Sequence, residues 1–453
     1  MISDAFFNES LSALKKNGAL FFEAYCDETV TAFTDMMAGK AYPEKSETTR
    51  GVSLRAFDGE KLLFATTEDL SEDNLRGIVR KMAEQLSPAN NKQPMPLSGA
   101  GDSIKETGGA HDWTPHREPI LRNLLAEQQS VQAAAGDGIT VKTRCYFMDR
   151  KIRLLSSLNG TVHDRQSVCC VVTEAGNADA RVTNVLSPVS PDDLDRLLRT
   201  KGLVTVCRDS GQEPAPCPTG TFDLVLLSGS SSLFFHECCG HPLEIYNAMR
   251  PDAVFHGKIG QKIAAGCVSL CDDGSLEGLW GSLTADDEGT PAQRNVLIRD
   301  GVLQGYLTDI AEGYRHGLAP TGSARRQYYK KAPAARMTNT FLMKGTDREE
   351  DIIRDTKKGL LIRSFSFGNV NPVTGDFTVR ITSGNFIRNG NIEEPFRGGT
   401  IRAGAADVLT RIDRVADNLS FTNGFCQSVS GRITVSGGQP TVRITGVPVF
   451  GGE

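Results

Sequence analysis

The sequence predicts an α+β protein. An N-terminal α/β region should carry helix, strand, hairpin and helix twice over, ahead of a mostly β C-terminal domain that holds a histidine-bearing helix. Three observations predict this. Amphipathic periods alternate with strand-like runs over residues 3–207. From Ala265 onward, short β-rich segments are separated by turn dipeptides. Between the two, residues 222–244 run from an apolar strand through a polar turn into a helix bearing His236, Glu237 and His241.

In chain order, residues 3–17 read as a helix capped by Ser3 and stopped by Asn17-Gly18. Ala19 to Phe33 alternates patchily and is rich in Phe, Tyr, Val and Thr, as a strand is. Val52–Phe57 and Lys61–Thr67 flank Asp58-Gly59, which supplies the positive φ angles of a tight hairpin. Leu75, Ile78, Val79, Met82 and Leu86 share one face of a helix that starts near Ser71. Residues 87–116, rich in Pro, Gly, Ser and Asn, read as a linker or long surface loop, with His111 and His116 solvated rather than ligating.

The plan then repeats. A helix is expected over 118–133, strands over 139–148 and 152–158, an Asn159-Gly160 turn, and a strand over 161–173 with Cys169-Cys170 in its core. A further helix has Ser190 as cap and Pro191 at its first position. The repetition suggests an internal duplication. The domain plan is therefore 1–90, a linker over 91–117, a second α/β unit over 118–207, a linker over 208–220 and a β-rich domain over 221–453. In that last part, turns are expected at Asp272-Asp-Gly274, Asp300-Gly301, Asn389-Gly390 and Gly437-Gly-Gln-Pro440, and one helix at 347–358. The β-rich domain should wrap around the histidine helix.

Phe222–Leu227 has strand length and Ser228–Ser232 offers several N-caps, so a helix should carry His236-Glu-x-x-x-His241. Two imidazoles and a carboxylate so close together are what a catalytic zinc needs: nitrogen ligands and a base for the bound water. Five-residue spacing sets the two histidines about 140° apart on a regular helix. Either an extra residue is accommodated as a π-bulge, or the helix ends before His241, which Gly240 and Pro242 favour. The plain alternative is two ordinary histidines beside a core helix.

Composition excludes several classes. A net charge of −5 with dispersed basic residues leaves no nucleic-acid footprint. No run of 18 apolar residues exists, so no membrane-spanning helix is expected. Met-Ile-Ser-Asp-Ala-Phe-Phe-Asn-Glu lacks the basic and apolar segments of a signal peptide, which points to the cytoplasm. Eleven scattered cysteines do not form a disulfide framework and should be reduced thiols. Cys267 and Cys271 resemble half a zinc site but lack a second pair, so packing is expected there.

Seven blocks occur in order between residues 222 and 445: His236-Glu-x-x-x-His241-x-x-Glu244, Asp286-Asp-Glu-Gly-Thr-Pro291, the stretch Val296 to Leu307, Arg325-Arg326, Arg336-Met-Thr-Asn-Thr340, Asn371-Pro-Val-Thr-Gly-Asp-Phe377 and the region of Cys426. In these the chain resembles the TldD/PmbA family of metallopeptidases, catalytic TldD-like members in particular. The resemblance implies one Zn2+ per chain on His236, His241 and Cys426, with Glu237 as general base activating a zinc-bound water. It also implies cleavage of unfolded or extended peptides, as leader-peptide removal or degradation of unfolded proteins. Assembly would be as a homodimer, or as a heterodimer with a sister TldE/PmbA-like subunit.

Two features depart from the family pattern. Cys238-Cys239 stands where small apolar residues are usual, which makes either thiol a competing ligand, and Gln427-Ser428 follows Cys426 in place of Gly-Lys. Glu244 is a candidate for orienting a ligand histidine, or else a surface helix residue. Arg325 is a candidate substrate contact or interface residue, and Asn339 a candidate for fixing backbone at a substrate cleft. Asp286-Asp287-Glu288 reads as a solvated turn. The alternative function is a non-catalytic scaffold or regulatory subunit of a peptidase heterodimer. A gyrase regulator acting on DNA has no support in the charge.

Overall fold

The computed structural model describes residues 2–87, 95, 105–107, 112–134, 140–176, 181–201, 215–230 and 232–451. Its N-terminal half is built on one antiparallel sheet. Strands Leu62–Thr67, Lys45–Phe57, Phe21–Met37, Thr140–Ser156, Gly160–Gly176 and Arg181–Leu186 lie side by side in that order. The two sequence units therefore share a sheet, meeting at the central pair where Glu23 opposes Ser156 and Met37 opposes Lys142. The second unit repeats the first at an offset of 119 residues: Phe21 and Thr140 begin the long strands, Phe57 and Gly176 end the next, and Leu62 and Arg181 begin the outer ones, although Gly160 begins its longer strand only 115 residues after Lys45. The same offset in the pairing register, about a pseudo-twofold between the central strands, makes the units structural repeats.

The expected break near residues 149–151 is absent, and Thr140–Ser156 is one strand. The polar run Asp149-Arg150-Lys151 looks like a turn in isolation. Its charges are met across the sheet instead, Asp149 by Arg165 at 2.7 Å and Arg150 by Asp27 at 3.3 Å. Of the stretch 87–116, Lys105–Thr107 pairs with Val162–Asp164 and Thr114–His116 forms one 3₁₀ turn. His116 is half-buried, and His111 lies outside the described residues.

Four helices cover one face of the sheet. Asp4–Lys16 and Glu72–Gln85 enclose Phe6, Leu14, Phe22, Leu54 and Leu75, while Arg117–Ala134 and Pro191–Lys201 enclose Leu124, Cys145, Cys169 and Leu194. Their caps are local: the Phe6 amide donates to Ser3 Oγ at 3.2 Å and the Asp193 amide to Ser190 Oγ at 3.1 Å. The opposite face offers Tyr25, Ile152, Leu154 and Val162 to Ala285 and Tyr329 of the C-terminal half.

Asp286, Asp287 and Glu288 sit at this junction and are buried, not solvated. Asp286 caps backbone, accepting from the amides of Glu288, Thr290 and Ala324. Asp287 accepts from Tyr25 Oη at 3.1 Å and the Arg326 amide at 2.6 Å. Glu288 pairs with Arg55, which also meets Glu23 at 3.0 Å, and Glu23 meets Arg326 at 2.6 Å. Burial is tolerated because backbone amides satisfy Asp286, the Tyr25 hydroxyl and the Arg326 amide satisfy Asp287, and Arg55 of the N-terminal sheet pairs with Glu288.

The C-terminal half holds two principal sheets. In one, Lys358–Val370 pairs with Gly220–Leu226 on one side and Asp376–Arg388 on the other, and the path through Val442–Phe450 and Thr400–Gly404 closes the ring. The second runs from Val302–Leu303 through Arg294–Arg299, Leu270–Asp273, Asn339–Leu342 and Gly431–Gln439 to the edge strand Ser420–Ser428. Between them lies the largest core, with Phe234, Leu243, Leu270, Leu342, Ile362 and Val435 buried in it. The helix expected over 347–358 is shorter, Glu349–Arg354, because Lys358 already begins a strand. Gly437 and Gly438 lie inside a strand rather than a turn. A Cβ at Gly438 would stand 2.7 Å from the Phe421 ring, so glycine here permits close packing. Asp300-Gly301 and Asn389-Gly390 are turns with positive φ at all four residues. Among the described residues, no helix is long and apolar enough to cross a membrane.

Candidate metal centre

Strand Gly220–Leu226, buried at Leu224–Leu226, delivers the chain to the motif. One α-turn follows, Ser232–Phe235, then a π-turn over His236–Gly240 and a 3₁₀ turn over His241–Leu243. The His241 amide donates to His236 O, the five-residue bond that defines a π-turn. The extra residue is thus absorbed, and the two imidazoles stand with ring centroids 4.8 Å apart. Gly240 makes the turn possible against its neighbour: a Cβ there would lie 1.8 Å from Met337 Sδ.

Cys426 comes from the edge strand Ser420–Ser428, where it opposes Ile433. Its Sγ lies 3.1 Å from His236 Nε2 and 3.3 Å from His241 Nε2. All three donors fall within 4.8 Å of one another, and they form the one such group of His, Cys, Asp or Glu among the described residues. Ligand atoms about 2.0–2.3 Å from a tetrahedral ion stand roughly 3.5 Å from each other, so two imidazoles and a thiol at these separations fit zinc with one position left over. Cys238 and Cys239 instead point into the hydrophobic core, fully buried, their sulfurs 3.3 Å apart. Burial holds the Cys238 thiol well above its usual range. Burial also opposes ionisation of Cys426, but His236 and His241 outweigh it and hold that thiol well below the usual range.

Supporting contacts surround the donors. Glu244 Oε2 lies 3.1 Å from His241 Nδ1, and Asn247 Nδ2 donates to His241 O at 2.9 Å. A carboxylate on Nδ1 leaves Nε2 free to ligate. Glu237 lies beside the donors on the wall of a cavity of about 460 Å³, which His236, His241, Gly368, Phe425 and Cys426 also line. Burial pushes its carboxyl up, against the pull of His236 and His241. Among the described residues no hydrogen-bond partner holds that carboxylate. A Cβ at Gly368 would stand 2.7 Å from Glu237 Cγ and 3.1 Å from Oε1, so the absent side chain keeps the carboxylate's place open.

Arg325 and Asn339 do not line this cavity. Arg325 is buried, donates to Met337 O, Thr434 O and Thr434 Oγ1, and faces a separate cavity of about 360 Å³ between the two halves of the chain. Asn339 donates to Asp273 O at 2.8 Å and accepts from the Gly281 amide at 3.1 Å, holding two loops together. Sequence reasoning left two residues of the centre without a role. Arg336, whose Nη2 reaches Cys426 Sγ at 3.1 Å, was visible only as the start of a motif block. Gly368 carried no signal, because its importance lies in what a side chain would displace.

The family model described as PmbA/TldA metallopeptidase C-terminal domain matches residues 219–451. A Haemophilus influenzae protein named Metalloprotease TldD homolog is 36% identical over 427 residues, 89% of this chain and 87% of that one. The chain belongs to the TldD/PmbA family. The likeness reaches into the N-terminal half, where the sequence blocks do not. A Saccharolobus solfataricus Zinc metalloprotease TldD homolog is 24% identical over 291 residues, 62% of this chain and 63% of its own. The fold is shared with TldE from Thermococcus kodakarensis, at a TM-score of 0.73 and 17% identity over 98% of this chain and 99% of that one.

Proposed function

We propose that this TldD/PmbA protein is a zinc-dependent endopeptidase that cleaves unfolded or extended peptides, in leader-peptide removal or degradation of unfolded proteins. One observation carries the reading: His236, His241 and Cys426 converge beside a Glu237 carboxylate that has no hydrogen-bond partner among the described residues, on the wall of one cavity. His236, His241 and Cys426 hold one Zn2+, which supplies Lewis acidity toward a carbonyl oxygen and toward water. Glu237 takes the proton from the attacking water on its carboxylate and returns it to the leaving amine. Burial raises its affinity for that proton, which suits a group that must hold one between two steps. Glu244 keeps His241 turned with Nε2 toward the metal position.

An extended substrate has a place to lie. Among the described residues, strand Ser420–Ser428 has a strand partner on one side only, Gly431–Gln439, so beyond Asn423, whose carbonyl accepts from Ser187 Oγ, its other edge can receive a peptide as an added strand. Backbone pairing of that kind reads disordered chain rather than a folded surface. Assembly as a homodimer, or with a TldE/PmbA-like sister chain, would enclose the cleft further, and the shared fold with TldE supports such pairing. The ten described cysteines are all free thiols, which supports work in the cytoplasm. A non-catalytic subunit would have no use for a complete donor set with an adjacent base.

The test is digestion of one protein in its folded form and in a destabilised, unfolded variant, with and without a chelator. Cleavage of the unfolded form alone, abolished by the chelator, is expected. Chelator-resistant cleavage, or equal cleavage of both forms, contradicts the proposal.

A further inference from the structure

Arg336 follows strand Ala334–Ala335 and is fully buried beside the donor group. Its Nη2 donates to Cys426 Sγ at 3.1 Å and to Cys426 O at 3.1 Å. Its Nη1 donates to Ser430 Oγ at 2.8 Å, in the turn that follows Cys426, and to Gly431 O at 3.0 Å, where the next strand begins. Its Nε faces Glu244 Oε1 at 3.5 Å, and neither of those two atoms has a hydrogen-bond partner among the described residues. Glu244 in turn holds His241 Nδ1 through Oε2. A closed path therefore runs from Cys426 through Arg336 and Glu244 to His241.

We propose that Arg336 is a positioning residue of the metal centre: it fixes the Cys426 sulfur by a charge-assisted hydrogen bond and locks it to His241 through Glu244. The inference rests on the zinc reading above. Three physical points support it. Among the described residues the strand that carries Cys426 is an edge, with a neighbouring strand on one side only, and Arg336 holds its sulfur, its carbonyl and its following turn. Glu237, Glu244 and a Cys426 thiolate would place three negative charges in one buried volume, and Arg336 is the guanidinium in contact with two of them. A planar guanidinium directs five donors at fixed angles, whereas a lysine ammonium on a flexible stem cannot meet sulfur, carbonyl, hydroxyl and carboxylate together. Hydrogen bonding to a ligating sulfur also draws charge from it, which a purely architectural contact does not.

The experiment compares full-length wild type with Arg336→Lys, Arg336→Met and Glu244→Gln. Each protein is titrated with zinc against a chromogenic chelator, then loaded with cobalt(II) to record the sulfur-to-cobalt charge-transfer band. Circular dichroism of the metal-free proteins reports folding. Both Arg336 variants should bind zinc about 10- to 100-fold more weakly and shift the band, with secondary structure kept. Glu244→Gln leaves every hairpin contact in place and should still weaken zinc, which keeps the question open to test if the Arg336 variants fold poorly. Unchanged affinity and an unchanged band in Arg336→Lys and Glu244→Gln would overturn the positioning role while leaving the zinc site intact. A wild type that takes up neither metal would instead overturn the zinc reading itself.

Discussion

At the junction of the two halves, the guanidinium groups of Arg55, Arg150 and Arg326 meet the carboxylates of Glu23, Asp27 and Glu288, while Asp287 accepts from the Tyr25 hydroxyl and the Arg326 amide. At the candidate metal centre, His236, His241 and Cys426 meet one another, and Glu237 faces a cavity with no hydrogen-bond partner among the described residues. Both clusters are buried and polar, and both join residues far apart in the chain. They differ in closure. The junction also borders a cavity, but each of its carboxylates is partnered within the fold, which makes it a device for fixing how the sheet docks. The metal centre is held tightly at its rear by Glu244 and Arg336 but left unsatisfied at the front. A buried polar group that the fold supports without pairing marks chemistry rather than architecture.

This contrast can be broken from either side. Arg326→Met leaves Glu23 buried with half its countercharge and should cost about 3–5 kcal/mol of stability, read from chemical denaturation. Activity per folded molecule should survive it, and a variant of wild-type stability would show the junction to be less tightly coupled than its geometry implies. Glu237→Gln should do the reverse. Turnover of an unfolded substrate should fall by at least about 100-fold while zinc content and the denaturation midpoint stay near wild type. Wild-type turnover there would move the base role elsewhere, with Glu244 the first residue to examine.

Gly368→Ala sharpens the comparison by filling the open front. Its Cβ would press on Glu237, and turnover should drop by about 10- to 100-fold with zinc retained. Undiminished activity would mean that Glu237 works from another rotamer. The smallest effect is expected from Cys239→Ala. The side chain packs in the core away from the donors, so about 1 kcal/mol of stability should be lost and zinc kept. Loss of metal in that variant would bring the neighbouring thiols back as ligands.

The junction and the centre were unequally legible in the sequence. His236, Glu237 and His241 announce their chemistry by residue type and closeness, yet their spacing left two backbone outcomes open. Packing decided between them: the π-turn forms where Gly240 lies against Met337, which is 97 positions further along. Cys426 could be chosen among eleven cysteines only through family likeness, because what distinguishes it is an edge-strand position facing two imidazoles. The turn at Asp286–Glu288 read as solvated because its partners are remote, Arg55 being separated from Glu288 by 233 positions and Tyr25 from Asp287 by 262. The same blindness split the strand at Asp149–Lys151, whose partner Arg165 lies on the next strand. Local patterns such as the Ser3 cap and the Asn389-Gly390 turn needed no such information. The repeat was visible as a plan, and the shared sheet shows why: both units place the same strands at a constant offset.

The central claim is that one zinc sits on His236, His241 and Cys426. It is tested most directly by metal content of the purified full-length chain beside His236→Ala, Cys426→Ser and the double variant Cys238→Ala/Cys239→Ala, each checked for folding. One zinc per chain is expected in the wild type and in the double alanine variant, with little or none retained by His236→Ala or Cys426→Ser. A wild type without zinc, or a filled site in Cys426→Ser alongside an empty one in the double variant, would contradict it.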